Sequence, residues 1–385
     1  MPAINTNPGK KRSIRYRMLA LVDDIAEVTD RTQIPQLVSN RWLTNPSVVK
    51  MSDGYVCVVK EVNFDRNAIM LSGDWRAENL NEKVSCNNHV LRLDESLRVV
   101  DQNRLSFSQP DLPPKWQLDI EDLRVCRASD RLFLCGAAVF HRSIWTGAAW
   151  YRTNQKTRVC TGELTGTSIS NLKVMPPIEA LHTEKNWIPY AVDRETVLLL
   201  TDVESGSVVK TPTSSLNTDG QIPTQRWSGK WSGSSPAIKV SGTIIGLIHR
   251  RTSDIPETYI HAFAQFDDEL NLVGCSEPFS LHGAHIEFVC GITESHSKNK
   301  LLVSYGAADA TAWIAELRTE SVLAAINRQN LDAIEAMCTK SISEYQRQGL
   351  LDVIKAQNAA YWRIRNEYVK LADQCSQTLP PIAPG

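Results

Sequence analysis

Asn45-Pro-Ser-Val-Val-Lys-Met-Ser-Asp-Gly54, followed at once by Tyr55-Val-Cys-Val-Val-Lys60, sets out a polar motif, a short apolar strand, a small polar turn and a second apolar strand. The same order returns along the chain. Glu121-Asp-Leu-Arg-Val-Cys-Arg-Ala-Ser-Asp130 leads into Leu132-Phe-Leu-Cys-Gly136. Glu184-Lys-Asn-Trp-Ile-Pro-Tyr190 leads through a turn at Asp193-Arg194 into Thr196-Val-Leu-Leu-Leu200. Gly233-Ser-Ser-Pro-Ala-Ile-Lys-Val-Ser-Gly242 leads into Thr243-Ile-Ile-Gly-Leu-Ile-His249. Ile286-Glu-Phe-Val-Cys-Gly-Ile292 leads through a longer turn at Ser297-Lys298 into Leu301-Leu-Val-Ser-Tyr305. Short runs rich in Val, Ile and Leu on either side of a polar turn predict a hairpin in each copy.

Successive copies begin roughly 50–75 residues apart, which leaves room for two further strands in each unit. A second recurrence fits those outer strands: Leu93-Asp-Glu-Ser-Leu-Arg-Val-Val100 matches Phe266-Asp-Asp-Glu-Leu-Asn-Leu-Val273. Five sheet units, none able to bury both faces alone, predict radial packing about an axis, an all-β five-bladed β-propeller. A sandwich or jelly roll would not need a polar motif at the same place in every unit. From about Ser321 to Cys375 the strand pattern gives way to helical spacing. Val322, Leu323, Ile326, Ile334 and Met337 form one run; after Gly349, Leu350, Leu351, Ile354, Tyr361, Ile364, Tyr368 and Leu371 form another. The expected division is a lead-in over 1–40, the propeller over 41–318, a C-terminal α-helical extension, a hairpin, over 319–376, and a flexible tail over 377–385. So much apolar helix surface must pack on the propeller or on a partner, such as a second copy of the chain.

Of the 385 residues, 42 are Lys or Arg and 43 Asp or Glu, so the net charge is −1. That balance gives no footprint for nucleic acid or an anionic membrane. No apolar run reaches the ~18–20 residues of a membrane helix, and the basic N-terminus lacks the apolar stretch of a signal peptide. Nine scattered cysteines, without a C-x-x-C pair, read as reduced thiols of a cytoplasmic protein. Neither a metal nor a cofactor is expected; His282 and His285 are the only close histidine pair.

The repeated motifs place polar residues on the strand nearest the axis: Asn45 and Ser47; Glu121, Asp122 and Arg124; Glu184, Lys185 and Asn186; Ser234 and Ser235; Glu287. Second strands add Lys60 and Glu61, His249 and Arg250, and Tyr305 through Asp309. Turn chemistry accounts for Asn and Ser at strand starts. It accounts poorly for Lys185, Asp122, Glu287 and His249, since charge at the inner end of a buried strand is costly unless paired or wetted. Such a ring is either a salt-bridge network or a polar ligand site. Ten tryptophans are available for stacking on sugar faces, with Trp75, Trp187, Trp227 and Trp231 near the motifs, though most such rings pack cores.

At these motifs the chain resembles the five-bladed mannoside phosphorylases of glycoside hydrolase family 130 and the related β-mannosyltransferases, over most of residues 41–318. The resemblance implies inverting glycosyl transfer on mannosides or similar sugars. Asp122 would then be the general acid. Arg124, Lys185, His249, Arg250 and Tyr259 would bind inorganic phosphate or the phosphate of a sugar donor. Asn45, Glu61, Glu287, Tyr305 and Asp309 would hold the sugar or oligosaccharide. Phosphate is already a nucleophile, so no second carboxylate is needed to activate water. Strand alternation would point Glu121 away from Asp122, with Arg124 on the same side as Asp122. Three departures stand out: Val59-Lys60-Glu61 where the phosphorylases carry an arginine, Leu123 in place of proline, and the long helical C-terminus. A related propeller hydrolase, with Glu287 or Asp309 as its second carboxylate, and a non-catalytic interaction module are the competing expectations.

Overall fold

The computed structural model describes residues 20–37, 41–64, 79, 81–108, 112, 116–145, 150–175, 185–212, 231–251, 258–283, 286–326 and 331–338. Their strands form five separate sheets. The first runs Trp42–Met51, Gly54–Val62, Cys86–Leu93, Val99–Arg104, each strand antiparallel to the next. The second runs Trp116–Ala128, Arg131–Trp145, Trp150–Thr165, Ser168–Val174, with Ser106–Phe107 on its edge. The third comprises Ile188–Ala191, Thr196–Asp202 and Ser207–Pro212. In the fourth, Trp231–Gly233 and Ile238–Val240 both pair with Thr243–Arg251, which pairs with Tyr259–Phe266. The fifth runs Glu287–Glu294, Lys300–Ala307, Thr311–Arg318, and is completed by Val28–Ile34 from the beginning of the chain.

The hairpins fall where the repeated pattern puts them. The two matching turns also have the same build. Asp94 Oδ1 accepts the backbone N–H groups of Ser96 and Arg98, and Asp267 Oδ1 those of Glu269 and Asn271. Leu97 and Leu270 hold φ of 63° and 65° in these turns. Residues 28–34, expected within a helical or irregular lead-in, are instead a strand: their mostly polar sequence suits an outer edge and gains a ladder with Thr311–Arg318. Helix Thr319–Ala325 and helical residues 331–338 follow the fifth sheet. Residues 339–385, including the predicted second helix, lie outside the described residues.

Every sheet is apolar on both faces, and the interfaces close in a circle. Val49, Val58 and Val90 of the first sheet meet Leu118, Ile120 and Val125 of the second. Cys126, Phe133 and Val159 meet Trp187, Val197 and Leu199 of the third. Ile188 and Leu200 meet Ile244, Ile248 and Ile260 of the fourth, where Ile334 and Cys338 join them. Leu247 and Phe263 meet Val289 and Val303 of the fifth. Leu302 and Ile314 return to Val48, Cys57 and Leu91 of the first. This is a propeller-like, all-β arrangement.

Wedges that converge leave little room at the centre, and glycine fills the tightest points. A methyl on Gly306 would overlap Asn45 Oδ1 and Thr44 Oγ1 and lie 2.6 Å from the Asn45 backbone nitrogen. On Gly291 it would lie 2.7 Å from the Val48 nitrogen. Gly306→Ala is therefore expected to destabilise the protein by about 1–3 kcal/mol, the usual cost of overpacking. Chemical denaturation measures it, and an unchanged midpoint would show that the fifth and first sheets are not in close contact there.

Candidate active site

Three of the inner strands break their ladders near the polar motif. The register slips between Thr44 and Ser47, between Glu121 and Arg124, and between Val289 and Gly291. Asn45, Asp122 and Asn186 sit at these breaks or just ahead of a strand with φ of 50°, 52° and 70°. The left-handed region is costly for most L-residues, but Asn and Asp tolerate it. This explains the recurring short polar residue. It also overturns the alternation argument: the bulge at Asp122 and Leu123 lets Glu121 and Asp122 face one cation. Lys60 Nζ lies 2.8 Å from Asp122 Oδ1 and 3.9 Å from Glu121 Oε2.

Asn45 Nδ2 donates to the same Asp122 oxygen at 2.7 Å. Among the described residues no group bonds Asp122 Oδ2. Burial works against the Asp122 charge, but Lys60 and Lys185, with hydrogen bonds from Lys60 and Asn45, hold the carboxyl far below the usual carboxylate range. Burial likewise opposes the charge on Lys60; Asp122, Glu121 and Asp309 outweigh it and hold the amine protonated well above its ordinary value. Asp309 follows Lys300–Ala307 with φ of 48°. Lys185 is exposed at the entrance to the third sheet.

Arg124 is 1% exposed and is spent on backbone and amide groups. Its Nε donates to Ser234 O at 2.5 Å, Nη1 to Asp122 O at 3.0 Å and Nη2 to Asn186 Oδ1 at 3.0 Å. Its guanidinium also lies over the Phe288 ring, 5.5 Å from the centroid. His249 and Tyr259 stack at 5.7 Å, and both meet Phe288 edge-on. Burial, then His261, Arg124 and Lys185, push His249 well below its ordinary value, so it faces the site as a neutral ring. Burial pushes Tyr259 up to about 12.

Several expected site residues lie elsewhere. Strand alternation turns Arg250 away from His249; its Nη2 pairs with Glu335 of helical residues 331–338 at 3.0 Å. Glu61 is buried on the other face of its strand, with His89 at 3.1 Å and Asn87 at 3.2 Å. Glu287 is fully buried and accepts the backbone N–H groups of Leu281 and His282. Tyr305 is fully buried and bonds the His282 ring at 2.7 Å. Glu184 and His285, with Trp75 and Trp227, lie outside the described residues. Trp187 and Trp231 are core residues, in the third-sheet interfaces. Sequence reasoning placed Lys60 in the polar ring but gave it no role in the site, and overlooked Phe288 and His261. The apolar run around Phe288 gave no reason to separate it from the core.

No family model and no curated protein sequence matches this chain. The solved structures do give similar folds. A beta-1,2-mannobiose phosphorylase from Listeria innocua is 13% identical over 76% of this chain and 95% of its own, with a TM-score of 0.46. A mannose phosphorylase from Leishmania mexicana is 11% identical over 80% of this chain and 93% of its own, at 0.47. A GDP-Man-dependent mannosyltransferase from the same organism is 13% identical over 76% and 90%, at 0.45.

His261 lies directly across the ladder from His249, fully buried, and neither ring nitrogen has a partner among the described residues. Burial lowers it from 6.5 to about 3. The unfolded chain therefore takes up this proton first, and stability present above about pH 6.5 drains away as pH falls towards 3. His261→Phe, among Phe263 and Phe279, removes both orphan atoms. Its Tm is expected to equal or exceed that of the natural protein at pH 7 and to fall less between pH 7 and pH 4.5. An identical acid slope would mean that His261 is hydrated and free to protonate.

Proposed function

We propose that the five sheets are the blades of a five-bladed propeller, and that its centre is a carbohydrate-active site performing inverting glycosyl transfer. The reaction is phosphorolysis or transfer from a phosphorylated sugar donor, on mannosides or similar sugars. The observation that carries this reading is the Asp122 carboxyl: one oxygen is fixed by Asn45 and Lys60, and the other is open beside the exposed Lys185. A carboxyl anchored by one oxygen can hand a proton from the other to a glycosidic oxygen without losing its place. Lys185 supplies charge for the oxyanion of phosphate or donor. Tyr259 and neutral His249 can donate hydrogen bonds to it, and Asp309 can accept them from sugar hydroxyls. Arg124 acts at one remove, by holding Asp122, Asn186 and Ser234.

The hydrolase alternative is narrowed, because Glu287 already accepts two backbone N–H groups and leaves Asp309 as its second carboxylate. The non-catalytic reading is favoured by one observation, the direct Lys60–Asp122 pair, since mutual pairing is what a retired site would adopt. All eight described cysteines are unbridged and buried, in keeping with work in the cytoplasm. Among the described residues no helix is long and apolar enough to cross a membrane.

Purified protein incubated with sugar 1-phosphates or nucleotide sugars, mannose forms first, and oligosaccharide acceptors is expected to release phosphate or nucleotide. Asp122→Asn tolerates the left-handed backbone and should lower turnover by about 10²–10⁴-fold. Turnover that survives in this variant, with circular dichroism unchanged, would remove Asp122 from its role. Lys185→Ala should raise KM for the anionic substrate by about 10–100-fold, the worth of one charge-assisted hydrogen bond, with kcat less affected. Equal KM values would take the anion elsewhere.

A further inference from the structure

The site as it stands presents a contradiction for an acid. Asp122 is ion-paired at 2.8 Å with a lysine that is itself 6% exposed, so the empty site holds a carboxylate and no proton to give. The counter-ion is also badly overcommitted. Lys60 faces Asp122, Glu121 and Asp309, three carboxyl groups from two sheets, with Asp122 at 2.8 Å and Glu121 at 3.9 Å. The other cations in the neighbourhood are not equivalent to it. The Arg124 guanidinium is tied to backbone and amide oxygens, and Arg250 is held by Glu335 on another face. Lys60 and Lys185 are thus the two amines whose charge falls on Asp122.

We infer that Lys60 is a positioning residue with two alternative partners, the Asp122 carboxylate in the empty site and a tetrahedral oxyanion of the substrate in the loaded one. This rests on the proposed reading of the site as one that receives phosphate or a phosphorylated donor. An oxyanion placed between Lys60 and Lys185 competes for both amines and adds negative charge beside Asp122. Below its raised midpoint the carboxylate then takes a proton from solvent on Oδ2, the oxygen left open, so proton uptake accompanies oxyanion binding. The acid is made only when the group it must act with has arrived. Nothing else facing Asp122 compensates: Asn45 carries no charge, Glu121 and Asp309 are carboxyl groups that add no positive charge, Tyr259 and Cys290 have no cationic form, and burial keeps His249 a neutral ring. Arg124 stays where it is.

Sulfate tests this without the chemistry, because it does not itself titrate near neutrality. The Asp side-chain carboxyl is labelled with ¹³C, Asp122 is assigned by its loss in Asp122→Asn, and its resonance is followed from pH 8 to pH 4. In the empty protein it should keep the carboxylate shift throughout. Saturating sulfate should raise its midpoint by about 3–5 pH units, into the titrated range, because burial and an added anion then both act on a carboxyl that has lost its cation. Lys60→Gln should produce a similar rise with no sulfate present, and Lys60→Arg should restore the low value. A sulfate-bound protein whose Asp122 signal does not move overturns the inference, as does a Lys60→Gln variant that titrates like the natural protein. Failure of sulfate to bind overturns it too. Should Lys60→Gln not fold, the sulfate arm on the natural protein decides alone. A shift that appears in a protein inactive with every sugar donor would leave the exchange standing and count against the enzymatic reading instead.

Discussion

Arg124 is the point on which the centre of this molecule turns. Five sheets that converge leave their inner backbones with carbonyls and N–H groups that no ladder can satisfy, and a buried unsatisfied group costs about 1–3 kcal/mol. One guanidinium, reaching from the second sheet, answers the third through Asn186 and the fourth through Ser234. Serines complete the circuit. Ser47 accepts the Val125 N–H, Ser234 donates to Val289 O, and Ser304 accepts the Val48 N–H. With Asn45 on Asp122, these bonds link the sheets through short side chains that fit where larger ones cannot. The recurring polar motif is therefore first a solution to crowding. The site uses what that solution leaves exposed.

This double duty explains what could be read from the sequence. The hairpins were legible because apolar runs and polar turns are local, and the matching turns at Asp94 and Asp267 because an Asx turn needs the same residues each time. The ring of polar residues was legible as a ring. Which members face the site was not. Strand alternation separates His249 from Arg250 correctly once the register is known, but at Asp122 a left-handed bulge reverses the rule and brings Glu121 round to Lys60. Glu287 and Tyr305 sit at the right places in the chain and are consumed by the segment at Leu281 and His282. No local pattern announces that, since the partners come from the turn folded over them.

Electrostatically the centre is a balance between two poorly hydrated sets of charges. Asp122, Glu121 and Asp309 surround Lys60, while Lys185 stands at the exposed side and the histidines His249 and His261 stay neutral through burial. Buried ion pairs of this kind contribute little net stability, since desolvation offsets attraction. Their presence in a fold otherwise packed with Val, Ile and Leu is better explained by what the charges can be exchanged for than by what they hold together.

The strand Val28–Ile34 has a consequence for how the protein comes into being. Its ladder partner lies far along the chain; Thr29 bonds the Glu316 carbonyl 287 residues away. During synthesis this segment emerges long before its partner strand and must wait, unpaired, until the fifth sheet has left the ribosome. The fifth sheet is thus completed late, by a strand made early. Until then the fifth sheet keeps an open edge that another nascent copy could fill. The polar run Thr29-Asp-Arg-Thr-Gln33 between Val28 and Ile34 suits a segment that must remain soluble during that wait.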